Sequence, residues 1–252
     1  MRECLDSLIN QTFPKDMFEI VLVLNGCDSP WKEKIEKYIS ENEELKKITF
    51  IHTLSPGVSN ARNIALNKAK GEFIIFVDDD DYVSPFFLEE LYKIASPETI
   101  SLCYPYAFMD KVPDKQVTYR ITEVYERYSP KGVLPFLKAR QFFSGPCMKL
   151  IHRDIIRERR FDVKLSNGED SLFMFLISNK FKYVSFTSKK AIYYRRLRQN
   201  SAISNLKTRK AIIGNSLYLL KEYCKIYLRN PFQYSFSFFS IRVLTSIRSL
   251  IT

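Results

Sequence analysis

Two short apolar runs do most to limit what this chain can fold into. Phe18–Leu24 reads FEIVLVL and Phe73–Val77 reads FIIFV. Each is too short for a buried helix and rich in β-branched residues, as expected of strands covered on both faces. Between them come an amphipathic helix at Trp31–Leu45, opened by Ser29 and Pro30, a second strand at Ile48–His52, and a helix at Ser59–Lys70 that stops at Gly71. A helix carrying Cys4, Leu5, Leu8 and Ile9 precedes the first run, and another at Phe86–Ile94 follows the second. Strand and helix alternate with short connections. The first hundred residues are therefore expected to form an open, mostly parallel α/β sheet with helices on both faces. Farther on, the pattern predicts strands at Val117–Ile121, Met148–Ile151, Lys182–Phe186 and Ala191–Tyr194, and helices at Lys131–Ala139 and Asp170–Asn179.

In such sheets ligands collect beyond the carboxyl ends of the strands, and three of those ends carry unusual residues. Asn25-Gly26 follows the first strand, Pro56–Arg62 the second, and Asp78, Asp79, Asp80 and Asp81 the third. Adjacent carboxylates repel one another. Hard oxygen donors at the mouth of an apolar strand suit Mg²⁺ or Mn²⁺ carrying a diphosphate, whereas a bare DDDD elsewhere reads equally as a solvated turn. In the second stretch Gly57 permits a tight turn, Ser59 is placed to cap the helix, and Arg62 lies one turn inside it, in reach of an anion at the helix start. Glu169 and Asp170 stand before the apolar LFMFLI. From spacing alone they favour a helix cap over a general base. The basic run containing Arg195 and Arg198 is read either as a phosphate site or as a solvated strand and loop.

Charge divides the chain. Residues 205–252 hold eight basic residues against one acid, +7 of the net +11. The same segment repeats Ile212, Ile213, Leu217, Leu220, Cys224 and Leu228 near helical period, then Phe232, Phe236, Phe239, Val243, Leu244 and Ile247 beyond Pro231. Such a stripe covers the sheet domain, a twin subunit in a homodimer, or an anionic membrane surface. No nucleic-acid motif accompanies the charge, so nucleic acid is set aside as a partner. Five cysteines without CxxC spacing read as reduced core residues, and no signal peptide or apolar run of about 18 residues is found. These features give a cytoplasmic expectation, peripheral at most on the inner face of the plasma membrane.

Taken in order, ECLDSLINQTFP, FEIVLVLNGC, GVSNARNIALNKAKGEFIIFVDDDDYVSP, MKLIHRDII…RRFD, NGEDSLFMF and YYRRLRQNSAIS resemble the family-2 glycosyltransferases of GT-A fold that build bacterial surface polysaccharides. The resemblance covers roughly residues 3 to 204. It implies a catalytic domain over 1–204 followed by the helical tail 205–252. It further implies a nucleotide diphosphate sugar as donor, held through a divalent metal at Asp78, Asp80 and Asp81, with Asp81 the favoured direct ligand. Arg62 corresponds to the arginine on the diphosphate. Asp170 corresponds to the base that deprotonates an acceptor hydroxyl on a saccharide or lipid-linked saccharide, and transfer would invert the anomeric centre. Two features depart from the family. Its opening strand, with a Pro-x-Tyr-Asn-like element, has no counterpart here, and Leu24-Asn25 replaces an acidic pair, leaving Asn25 to hydrogen-bond a base. The first departure keeps open an alternative, a non-catalytic relative serving as a partner in an assembly complex.

Overall fold

The structure, a computed structural model, describes residues 1–110, 112–198 and 209–251. In chain order the elements are α1 (Arg2–Ile9), β1 (Val21–Asn25), α2 (Trp31–Ser40), β2 (Thr49–Thr53), α3 (Val58–Lys68), β3 (Phe73–Ile75), β4 (Tyr82–Val83) and α4 (Phe87–Lys93). Then come β5 (Thr99–Leu102), β6 (Tyr104–Met109), β7 (Val112–Gln116), α5 (Arg120–Tyr128), β8 (Leu134–Pro135), β9 (Lys149–His152), α6 (Arg153–Ile156), α7 (Glu169–Ile177), β10 (Tyr183–Phe186), β11 (Ile192–Leu197), α8 (Arg209–Arg229) and α9 (Phe236–Ile251).

The α/β class stands, with helices packed against the strands: α3 on β1, α4 on β5 and β9, α5 on β6. The sheet is mixed, however. Among the described residues three ladders are parallel (β1–β2, β5–β10, β6–β11) and five antiparallel. The five-stranded sheet runs β3-β9-β5-β10-β8 and a four-stranded one runs β4-β11-β6-β7, while among the described residues β1 and β2 pair only with each other. The alternation in the first half was read correctly as strand and helix, but β3 takes β9 as its neighbour, antiparallel, with Ile74 opposite Ile151. Every residue of β1 and β2 is half-buried, as befits a ladder that no hydrogen bonds join to the larger sheet.

Two expectations in the middle of the chain are corrected. The strand placed at Val117–Ile121 is replaced by β7, which ends at Gln116, and by α5, which begins at Arg120. Thr122, Val124 and Tyr125 turn one face of α5 inward, and the Tyr125 hydroxyl donates to the Thr187 carbonyl at 2.5 Å. The helix placed at Lys131–Ala139 gives way to β8 and an irregular 3-10 stretch. Gly132 there sits at φ +68, and Pro135 has no amide hydrogen to continue a helix.

The core runs unbroken from the sheets into the C-terminal helices. Ile100, Leu102, Phe143, Phe173 and Phe175 pack in one cluster with Tyr223 of α8 and Phe238 of α9. The domain boundary expected at 204/205 lies outside the described residues. No helix among them is long and apolar enough to cross a membrane.

Candidate functional site

Four segments far apart in the chain meet around one guanidinium. Arg62, one turn into α3, donates from Nη2 to Asp78 Oδ1 at 2.8 Å and from Nη1 to Asp170 Oδ1. Its guanidinium lies over the Phe161 ring, 5.4 Å from the centroid. The neighbouring Asn63 fixes the Phe161 backbone, donating to its carbonyl at 2.9 Å and accepting from its amide at 2.8 Å. The ARN segment, the acidic loop, the RRFD segment and the start of α7 are thereby brought together.

Asp170 does not cap its own helix. α7 starts after Gly168 without a side-chain cap, and the carboxylate turns to Arg62 instead. Burial pushes Asp170 up to about 6, against the pull of Arg62 in the other direction. A partly exposed carboxylate poised near neutrality is suited to accept a proton. Nor does Ser59 act as the expected cap of α3. Gly57, at φ +114, takes the N-cap position, and the Ser59 hydroxyl is buried without a partner. Backbone geometry allowed only to glycine thus displaced the side-chain cap.

The four aspartates divide by environment. Asp78 and Asp80 are half-buried and Asp79 is exposed. Asp81 is buried, with 4% of its surface exposed. Its carboxylate accepts from the Arg196 amide at 2.8 Å and from the Tyr193 hydroxyl, while burial lifts it to about 7. That hydroxyl also accepts from the Asp78 amide at 3.1 Å, and the Asp81 amide closes a turn onto the Asp78 carbonyl at 3.1 Å. These contacts make Asp81, the residue expected to meet the metal directly, an anchor of the loop. The accessible oxygens belong to Asp80 and Asp78. Arg198 reaches Asp80 at 3.7 Å. Arg195 donates to the Tyr119 hydroxyl and stacks over its ring at 5.3 Å, so it is engaged on the flank of the site. Asn25 holds the Gly57 carbonyl at 2.7 Å, tying the end of β1 to the turn before α3.

Two residues of the stretches read from sequence take roles that the reading did not assign. Arg196 clasps the acidic loop from outside, donating to the Asp80 carbonyl at 2.9 Å, to Asp110 at 2.8 Å and to Glu3. Alternation along β11 was the available signal, since Tyr193 points inward. Lys149 is fully buried in β9. Its ammonium donates to the Gly145 and Cys147 carbonyls, both at 2.6 Å, and burial lowers it to about 8. A lysine inside MKLI was the clue to a strand end built for polar work. The stretch it fastens lies against the base: a Cβ on Gly145 would stand 3.8 Å from Asp170 Oδ2.

No group of three or more His, Cys, Asp or Glu side chains is placed to hold a metal among the described residues. The donor set nevertheless fits Mg²⁺ or Mn²⁺, which are commonly bound through one or two carboxylates with substrate phosphates and water completing the shell. Asp80 and Asp78 would be those carboxylates.

An α/β body with an acidic loop at the end of a buried strand, facing an arginine and a carboxylate at a helix start, is the architecture of a GT-A glycosyltransferase. Comparison with solved structures agrees. Staphylococcus aureus TarS 1–349 in complex with UDP superposes with a TM-score of 0.63 at 21% identity, covering 88% of this chain and 61% of that one. The Pyrobaculum calidifontis mannosyltransferase PcManGT, in complex with GDP-Man and Mn²⁺, gives 0.61 at 15% identity, covering 99% and 68%. Residues 1–160 match Glycosyl transferase family 2, and the chain belongs to that family. Curated relatives include EpsH of Bacillus subtilis, 27% identical over 86% of this chain and 63% of EpsH. Another is the poly(ribitol-phosphate) beta-N-acetylglucosaminyltransferase TarS of Staphylococcus aureus, 28% identical over 81% of this chain and 34% of TarS. The chain thus spans between a third and two thirds of the length of these relatives.

Proposed function

We propose that this protein moves a sugar from a nucleoside diphosphate to an acceptor hydroxyl, with inversion, in the synthesis of a surface polysaccharide. The observation that carries the reading is the pair of contacts from Arg62 to Asp78 and Asp170, which gathers the separate motifs into one site. Arg62 is the group for the diphosphate, since an incoming phosphate competes for the guanidinium that two carboxylates now share. A divalent metal at Asp80 and Asp78 would neutralise charge on the leaving diphosphate. Asp170, freed as Arg62 turns to the donor, takes the proton from the acceptor hydroxyl as its oxygen attacks the anomeric carbon. The bond to the diphosphate breaks on the opposite face. Asp81, Tyr193 and Arg196 hold the acidic loop still, and Lys149 holds the wall beside the base. Names of relatives as glycosyltransferases, and solved neighbours bound to UDP or to GDP-Man with Mn²⁺, support a nucleotide-sugar donor. The acceptor is a saccharide or lipid-linked saccharide, met at the cytoplasmic face of the plasma membrane.

A second reading, a non-catalytic partner in an assembly complex, draws on the separation of β1 and β2 from the five-stranded sheet. A panel of nucleotide sugars with Mn²⁺, followed by thermal shift and then by release of free nucleotide, separates the two. Turnover of a stabilising donor supports the enzyme. Stabilisation without turnover, with or without acceptor, overturns it.

A further inference from the structure

The C-terminal helices form an antiparallel pair: Ser216 meets Ser249 at 2.9 Å, and Tyr227 stacks on Phe239 with centroids 4.2 Å apart. One side of the pair is spent on the core through Leu219, Tyr223, Phe238 and Arg242. The outward side remains apolar. Leu228 is 72% exposed, Phe232 103% and Phe236 66% around the turn, with Leu217 and Leu244 at 54% and 64% farther along. Residues 217 and 228 fall on one face of α8, and 236, 244 and 247 on one face of α9, so the exposed side chains form an apolar strip along the outward side of the pair, with Phe232 at the turn between them. Lys225 and Arg229 stand exposed on α8 beside that face, and Lys221, also exposed, rises between Leu217 and Leu228.

We propose that this strip, led by Phe232 at the turn, lies in the surface of an anionic lipid bilayer. The proposal rests on the membrane-face location given above and assigns it to a surface. Charge selects the occupant, because basic residues beside an apolar strip complement acidic headgroups. Shape selects it too: a phenylalanine standing free at a convex turn enters a fluid interface readily, whereas a second protein would need a matching hollow. The same pair of helices touches the site. Gly168, two residues before the base, packs against Leu219 of α8, and Asn215 donates to the Asn167 carbonyl at 2.8 Å. α8 therefore carries the strip on one side and the loop leading to Asp170 on the other, so docking the strip fixes the orientation of the site relative to the bilayer.

Removing α9 would open the core, so the test uses surface substitutions in the whole chain. Sedimentation with phosphatidylcholine vesicles, with and without phosphatidylglycerol, compares the parent with Phe232→Ser/Phe236→Ser and with Lys221→Glu/Arg229→Glu. Thermal unfolding confirms that the variants stay folded. The parent is expected to bind only the anionic vesicles. The serine variant should lose on the order of tenfold in partitioning per phenylalanine, and the glutamate variant about fivefold or more per charge. Parent and serine variant binding equally would overturn the assignment of the face while leaving the location intact. A parent that binds no vesicle would overturn both, and transfer to a soluble acceptor would still test the enzyme reading alone. Sedimentation velocity without lipid that finds a dimer in the parent and a monomer in the serine variant would give the strip to a second copy, and the proposal would fall.

Discussion

At the scale of single residues, the site is governed by how carboxylates share cations. Asp170 accepts a proton only when ionised, so transfer should be present above about pH 6 and lost as pH falls through that value. In kcat/KM, which reports the free enzyme, an acid limb near pH 4 would place the base elsewhere. Removing the guanidinium in Arg62→Met takes away the influence that lowers Asp170, and the limb should move to higher pH. Asp170→Asn should keep donor affinity, measured by calorimetry, while turnover drops by about a hundredfold or more. Among the aspartates, Asp80→Asn should abolish the metal-dependent part of nucleotide binding and leave thermal stability unchanged. Tyr193→Phe should do the reverse in emphasis. It strips a buried partner from both Asp81 and the Asp78 amide, and a loss of about 1–3 kcal/mol is expected in denaturant unfolding. If Asp80→Asn binds nucleotide with undiminished metal dependence, the ion sits on other oxygens.

At the scale of elements, the entry to α7 decides where the base stands. Gly168 adopts φ +84, and a Cβ added there would come within 2.7 Å of Leu219 Cδ1 on α8. Gly168→Ala should therefore cost more than the backbone strain of a left-handed residue alone, about 1–2 kcal/mol, and should lower turnover by tilting Asp170. Combining it with Leu219→Ala relieves the contact but leaves the strain. A double-mutant cycle by urea unfolding should show clear coupling, and additive losses would mean the helix gives way without touching α8. β11 works similarly along its length: Tyr193 inward and the Arg196 amide on Asp81 fix the acidic loop from a strand that follows it by more than a hundred residues.

At the scale of the molecule, the C-terminal pair is part of the fold as well as a surface. Phe238 is buried against Phe136 and Phe175, and the Arg242 guanidinium donates to the Phe143 carbonyl. Phe238→Ala should cost about 3–5 kcal/mol and lower a single cooperative transition seen alike by circular dichroism and tyrosine fluorescence. Separate transitions for α8–α9 and the sheets would mean that the shared core is not one unit. Much of this was legible beforehand, for physical reasons that act locally. Apolar runs of five to seven residues had to be strands, and glycine, proline and helical period marked most element ends. Carboxylates bunched after FIIFV pointed to a cation, and the resemblance put the ARN, DDDD and ED segments together, as the contacts from Arg62 to Asp78 and Asp170 do. Sequence did not decide which strands pair, because ladder partners such as β3 and β9 are chosen by packing across some eighty residues. It favoured Asp81 over Asp80 for direct metal contact, and only the fold shows that Asp81 is the one buried against Arg196 and Tyr193 while Asp80 stays half-buried. Nor did it tell the inward side of α8 from the outward one. Leu217 and Leu228 match the apolar period as well as Leu219 and Tyr223 do, and only contact with the rest of the core removed the latter pair from water.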